Sequence, residues 1–227
     1  MARTLFTTRH NGVSLAPYAS FNLATHVGDD PANVEANRLR LAEMIGVSRD
    51  SLFFMNQVHG REIAVIDENS DSKAVPSVDI LISNRPGAAL VTLIADCVPL
   101  LMYSNNVAAA VHVGRQGLMA GAVDAAVNAF HALGISAGEI EAQLGPSICG
   151  GCYEVDIEMY REVVAAHPAT ATSEEKRSLD IASGVKARLD HFGISWQESG
   201  LCTMHDEGYF SYRRDGVTGR QAGVIVL

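Results

Sequence analysis

The residues of this chain whose types and spacing can do chemistry fall into two sets. In the first, Cys149 and Cys152 make a CxxC in "CGGC", and Cys202 and His205 make a CxxH in "CTMH". Two such pairs could close a tetrahedral structural zinc site. The other reading of glycine-rich "GPSICGGCYEV" is a tight turn whose cysteines are small buried fillers. The string "HDE" at His205–Glu207 brings to mind the HxE of zinc deaminases, but its order relative to "CGGC" is reversed and Pro146 lies too early for their PCxxC. The second set is dispersed: His59 in "NQVHG", Cys97 in "ADCVPLL" and His112 in "AAAVHVGRQG". Catalytic zinc sites are often assembled this way, with three protein ligands from the ends of different strands and one open position. Two core histidines and a small apolar cysteine would give the same string. The turn "GRQGLMAG" lacks the lysine of a phosphate-binding P-loop, although a strand-to-helix turn at 114–117 can still present an anion with a helix N-terminus.

The chain that must position these groups has 227 residues, 48% of them hydrophobic, which predicts one globular domain spanning 1–227. A formal charge of -9, from 17 Lys+Arg against 26 Asp+Glu, works against binding nucleic acid or anionic membranes. "MARTLFTTRHNGVSLAPY" has no apolar core of a signal peptide, and no stretch reaches membrane-spanning length, so a cytoplasmic protein is expected. Four cysteines in such a chain read as thiols or metal ligands rather than a disulfide framework.

Helices and strands alternate along the sequence. A helix over 31–45 follows from Asp30 as cap, Pro31 at the first position, Val34, Leu41, Met44 and Ile45 on one face, and Gly46 as terminator. "EIAVID", "VDILIS", "ALVTLIAD" and "VAAAVHVG" read as four strands, so residues 91–116 supply two of them. The last runs into a single expected helix, "RQGLMAGAVDAAVNAFHALG". Farther on, "IEAQLG" suggests a strand, "EVDIEMYREVVAAH" and "SLDIASGVKARLDHFG" helices, and "YFSYRR" and "AGVIVL" closing strands, while "HPATATSEEKRS" reads as a flexible loop.

Six blocks in order, "YASFNLATHVGDDPANVEANRLRLAEMIGV", "NQVHG", "ADCVPLL", "AAAVHVGRQGLMAG", "LGPSICGGCYEV" and "FSYRRDGVTGRQAGVI", resemble the YfiH family, also called the laccase-domain or polyphenol oxidase family. The resemblance implies an α+β fold of mixed β-sheets sandwiched with flanking helices, related to the catalytic domain of deamidating toxins. It also implies that His59, Cys97 and His112 form a metal-bound catalytic centre, acting on purine nucleosides by phosphorolysis and on adenosine by deamination. The partners implied are a small nucleoside and phosphate. Where family members commonly read HAGWRG, this chain has "HVGRQG", so Arg115 and Gln116 replace the usual tryptophan and arginine.

Phenol oxidation of the multicopper kind needs many histidines in paired HxH strings, and this chain has eight histidines and no HxH. Zinc is then the expected metal, with copper loading in vitro as a consequence of its place at the top of the divalent affinity order. Arg115, Arg213 and Arg214 are candidate anion contacts, Ser20 and Asn22 candidate polar substrate contacts, and Glu154 a candidate proton shuttle. Strand alternation would turn Asp96 away from Cys97 and leave it a structural acceptor, and would let only one of Arg213 and Arg214 reach a ligand. Three rivals stand beside the nucleoside reading: a cysteine hydrolase or amidase with Cys97 as nucleophile and His112 as base, a copper-dependent polyphenol oxidase, and a non-enzymatic module stapled by zinc through "CGGC" and "CTMH".

Overall fold

The structure, a computed structural model, describes residues 2–227. In chain order its main elements are β1 (Arg3–Phe6), α1 (Pro31–Ile45), β2 (Leu52–Phe53), β3 (Ile63–Ile66), β4 (Ile80–Ser83), β5 (Ala89–Ile94), β6 (Val98–Tyr103), β7 (Ala108–Val113), α2 (Arg115–Ala120) and α3 (Ala122–Ala132). They continue with β8 (Glu141–Leu144), α4 (Ile157–Ala166), β9 (Ala171–Ser173), β10 (Ser178–Leu179), α5 (Ile181–Phe192), β11 (Ser195–Glu198), α6 (Tyr212–Asp215) and β12 (Gln221–Val226). No helix among the described residues is long and apolar enough to cross a membrane.

Two mixed sheets lie against each other, one of four strands in the order β1-β12-β5-β2 and one of six in the order β11-β8-β6-β7-β4-β3. The strands divide their side chains by alternation. Ile80, Ile82, Leu100, Met102, Ala109 and Val111 join the core beneath α2, α3, α4 and α5, whereas Leu81, Leu101 and Ala110 meet Leu90 and Ile225 of the other sheet. Strands buried on both faces therefore read as unbroken apolar runs. The far side of the smaller sheet is covered by α1 through Leu41, Ala42 and Ile45. Each aliphatic side chain buried this completely contributes roughly 1.5–3 kcal/mol. This is the α+β sandwich with flanking helices that the sequence implies.

The helix over 31–45 forms at the expected bounds. The Asp30 carboxylate accepts the Ala32 N–H, and Gly46 at φ 70° closes the last turn on the Ala42 and Glu43 carbonyls. Met44, expected on the apolar face, is instead exposed. Other expectations need correcting. Residues 91–116 hold parts of three strands, because β6 continues through Pro99, a residue that argues against a central strand. Pro99 is tolerated at the second position, before the β6–β8 ladder begins at Leu100. The single helix after His112 is broken by Gly121, which at φ 85° caps α2 and starts α3. The expected flexible loop contains a short antiparallel pair, β9 with β10, tied by Thr172 Oγ1 to the Ser178 carbonyl at 2.6 Å. Finally, "YFSYRR" is no strand. Gln221 binds both the N–H and the carbonyl of Phe210, and Ser211 caps the short helix α6 by accepting the Arg214 N–H.

Candidate functional site

The turn that carries the chain from β5 in the smaller sheet to β6 in the larger one passes through Asp96, whose φ of 98° is rare for a residue with a Cβ. Strand alternation is thus not what directs its side chain. Asp96 Oδ1 accepts from Thr203 Oγ1 at 2.8 Å and Oδ2 from the Arg213 N–H at 2.7 Å, which leaves it the structural acceptor expected and sets Cys97 at the mouth of β6. His112 stands on the neighbouring β7, paired with Pro99, on the face that carries Ala110. His59 comes from the loop between β2 and β3 and also lies in the left-handed region, at φ 59°.

One carboxylate holds these pieces in place. Asp79, with 0% exposure, accepts His112 Nδ1 at 2.8 Å and the His59 N–H at 3.0 Å on Oδ1, and the Gly60 and Val58 N–H groups at 2.6 and 3.1 Å on Oδ2. This fixes the His112 proton on Nδ1 and leaves Nε2 to face the site. Gln57 clips the same loop to β5 through its amide, with bonds of 2.7 and 2.8 Å to Leu93. The result brings the donor atoms of His59, Cys97 and His112 within 4.8 Å of one another, with Cys97 Sγ and His59 Nε2 4.0 Å apart. Gly114 closes the fourth side, where a Cβ would sit 3.0 Å from both Cys97 Sγ and His59 Cδ2.

The electrostatics favour ionised partners. Burial opposes ionisation of the Cys97 thiol, but the His112 charge and hydrogen bonds from both imidazoles outweigh it and bring the thiol down to about 6. His112 moves the other way: burial lowers it, the Cys97 charge and the Asp79 hydrogen bond raise it, and the balance is about 9. Asp79 is held below its ordinary value because bonds from His112 and Gly60 outweigh its desolvation. Two imidazoles and a thiolate suit a borderline-soft ion such as zinc or copper, and the cluster could hold one while leaving a position open toward a cavity of about 540 Å³.

That cavity redistributes the expected substrate contacts. Arg213 lines it, its guanidinium donating to the Glu154 carbonyl at 2.7 Å and lying over the Tyr153 ring. Arg214, adjacent on α6, points elsewhere and is spent on the Thr203 and Tyr209 carbonyls and on Asp215. Arg115, the first residue of α2, is not among the lining residues. The carboxylate of Glu154 pairs with Arg177 outside the cavity. Ser20 and Asn22 brace the N-terminal segment: Ser20 Oγ bridges Gly12 and Arg9, and buried Asn22 bonds Ala24, Asp29 and the Arg220 N–H. In their place the cavity presents His26, Tyr153, Tyr212 and Arg220. Sequence reasoning missed all four, as well as Asp79 and Gln57. Arg220 stood in the quoted block "TGRQAGV" without a role.

The other cysteine set also converges. The donor atoms of Cys149, Cys152, Cys202 and His205 lie within 4.8 Å of one another, with Cys152 Sγ 3.0 Å from His205 Nε2.

A family model described as multi-copper polyphenol oxidoreductase laccase matches residues 3–227. The chain belongs to this laccase-domain family. Within the same likeness, a purine nucleoside phosphorylase of Streptomyces coelicolor is 45% identical over 227 residues, covering 98% of this chain and 94% of that one. A purine nucleoside phosphorylase of Corynebacterium glutamicum is 44% identical over 231 residues, covering 99% and 94%. The laccase-domain fold is matched by crystal structures of YlmD from Geobacillus stearothermophilus (TM-score 0.92, 30% identity, 99% of this chain and 91% of that one) and of YfiH from Bacillus licheniformis (TM-score 0.91, 28% identity, 100% and 92%).

Proposed function

We propose that this chain is a zinc-dependent purine nucleoside phosphorylase that also deaminates adenosine, with His59, Cys97 and His112 as both metal ligands and catalytic centre. The observation that carries the reading is one cavity holding a His2Cys cluster beside two fixed guanidinium groups. Relatives named purine nucleoside phosphorylase, 41–46% identical and aligned over nearly the whole chain, support it.

In phosphorolysis a phosphate oxygen bonds to C1′ of the nucleoside while the C1′–N9 bond breaks and its electron pair leaves with the purine. A dianion must therefore be gathered next to a sugar. Arg213 is pinned by the Glu154 carbonyl, and Arg220 by the Thr218 and Gly219 carbonyls at 2.9 Å each, so both guanidinium groups meet phosphate with little left to order. Tyr153, Tyr212, Leu93 and Ile94 give the same cavity flat and apolar walls that suit a purine base. A bound zinc ion would supply Lewis acidity toward the attacking oxygen, of phosphate or of water. Asp79 keeps the His112 proton on Nδ1 and away from the cavity, and Gly114 leaves room for a compact ligand set.

The alternative with Cys97 as nucleophile and His112 as base draws on the same low thiol value. The multicopper alternative is disfavoured by the absence of any HxH string. The deciding experiment follows inosine and adenosine turnover by the zinc-loaded protein with and without phosphate. Phosphate-dependent release of hypoxanthine or adenine with ribose 1-phosphate, lost in Cys97→Ala, is expected. Turnover that ignores phosphate and persists after the metal is stripped, with Cys97 trapped as a covalent adduct, would favour the hydrolase.

A further inference from the structure

The loops that follow β8 and β11 run side by side. Ser147 and Cys202 form a parallel bridge, with the Ser147 N–H on the Leu201 carbonyl at 3.2 Å and the Thr203 N–H on the Ser147 carbonyl at 3.1 Å. Each loop then folds into a tight turn around its first cysteine. The Cys152 and Tyr153 N–H groups bond the Cys149 carbonyl at 3.0 and 3.2 Å, and the His205 and Asp206 N–H groups bond the Cys202 carbonyl at 3.2 and 2.9 Å. These paired turns point three sulfurs and one imidazole nitrogen at a common centre. Gly150 is required there, because a Cβ would stand 2.5 Å from Thr172 Cγ2 and 2.8 Å from Asp180 Cβ. Cys202 Sγ also accepts the Cys149 N–H at 3.3 Å, the kind of amide support that steadies a metal-bound thiolate.

We propose that Cys149, Cys152, Cys202 and His205 bind a second zinc ion, a structural one. Three thiolates and an imidazole make a closed tetrahedral set, in contrast to the open three-ligand cluster at His59, Cys97 and His112. Ligand atoms around such an ion stand about 3.3–3.8 Å apart, given bonds of about 2.0–2.3 Å. The four donors, all within 4.8 Å and at closest 3.0 Å apart, need only small shifts to reach that geometry. The ion has a definite mechanical task. The Ile148 N–H bonds the Asp96 carbonyl at 2.8 Å, and Thr203 holds the Asp96 carboxylate, so the two loops it would staple are the ones that grip the turn before Cys97. This inference stands apart from the nucleoside reading, because it concerns different residues and a different kind of site.

The test is metal analysis of protein purified under reducing conditions without added metal, together with cobalt substitution. Wild type is expected to hold about two zinc ions per chain, and His59→Ala with His112→Ala about one. The cobalt form of that double variant should keep an intense thiolate charge-transfer band, about three times stronger per ion than a single-thiolate site gives, since the band scales with the number of sulfur ligands. Cys152→Ser should remove that band and its zinc. His205→Ala is the companion variant: His205 is exposed, so the chain tolerates its loss, and zinc affinity at this site should fall by at least about 100-fold while the other ion stays. The proposal is overturned if the His59 and His112 double variant binds no metal, if its cobalt form lacks the multi-thiolate band, or if intact-mass measurement shows Cys149 and Cys152 joined as a disulfide.

Discussion

Asp79→Asn is nearly isosteric and tests whether one carboxylate organises the His59, Cys97 and His112 cluster. The native carboxylate accepts four hydrogen bonds with no access to water, two on each oxygen. An asparagine has one oxygen and must turn its NH2 to one side. If the NH2 faces the Val58 and Gly60 amides, two N–H donors meet another donor and the loop carrying His59 is released. If it faces His112, it donates to Nδ1, the imidazole proton moves to Nε2, and the nitrogen needed for a metal is blocked. The first arrangement loses two bonds to a charged acceptor and the second loses the one from the His59 N–H, at roughly 1.5–3 kcal/mol each, so about 1.5–6 kcal/mol of stability is at risk. Loss of such an outer partner typically weakens metal binding about 10–100-fold. Thermal unfolding of the metal-free protein and zinc competition against a chromophoric chelator measure the two effects separately. An Asp79→Asn protein with unchanged melting temperature and zinc affinity within about threefold of wild type would refute the claim that this carboxylate sets the site.

Three other expectations are open to measurement. Gly114→Ala places a methyl 3.0 Å from Cys97 Sγ and His59 Cδ2 at an ordinary backbone φ of -86°, so zinc affinity at that cluster should drop at least about tenfold while circular dichroism stays native. Arg213→Ala and Arg220→Ala should each raise the KM for phosphate about tenfold or more and leave adenosine deamination within about twofold, whereas Arg115→Ala, outside the cavity, should change neither; steady-state kinetics with phosphate varied checks all three. In metal-free protein the depressed Cys97 thiol contributes stability that is full above the ordinary thiol range and is lost as pH falls toward about 6, while the raised His112 contributes fully below the ordinary imidazole range and loses its share as pH rises through about 9. Between those limits the two slopes have opposite signs and nearly cancel, so wild-type urea midpoints should stay almost level there, whereas Cys97→Ala, which removes the rising share, should tilt; profiles of the same shape in the two proteins would sink the assignment.

The parts of the fold legible in the sequence were those where local pattern and tertiary environment agree. Helix α1 carries its own start and stop in Asp30, Pro31 and Gly46, and β4, β5, β7 and β12 are apolar runs because both of their faces are covered. Strand β6 was hidden by Pro99, whose penalty applies in mid-ladder but not at the second residue. The failure at "YFSYRR" has the opposite cause. Its alternation is that of a strand, yet the hydrogen bonds a neighbouring strand would supply come from the Gln221 side chain, a partner eleven residues from Phe210 that no local window contains.

The site divides along the same line. Residues whose type announces their chemistry, cysteine and histidine, could be named from the sequence, and the structure gathers them into two clusters. Residues whose role is to aim that chemistry could not. An aspartate at the head of "VDILIS" looks like any polar residue bounding a strand, and only its total burial distinguishes Asp79, since a desolvated carboxylate persists there only if its lone pairs are met. Arginines were misassigned for a related reason: a guanidinium attracts anions and backbone carbonyls alike, and the order of the chain does not say which it meets. Arg214 is consumed by carbonyls of its own loop, whereas Arg213, one residue earlier, has the cavity in front of it. What separates them is the helical turn that Ser211 caps and Asp96 holds at the Arg213 N–H, so two side-chain acceptors decide which of two adjacent cations faces the proposed substrate.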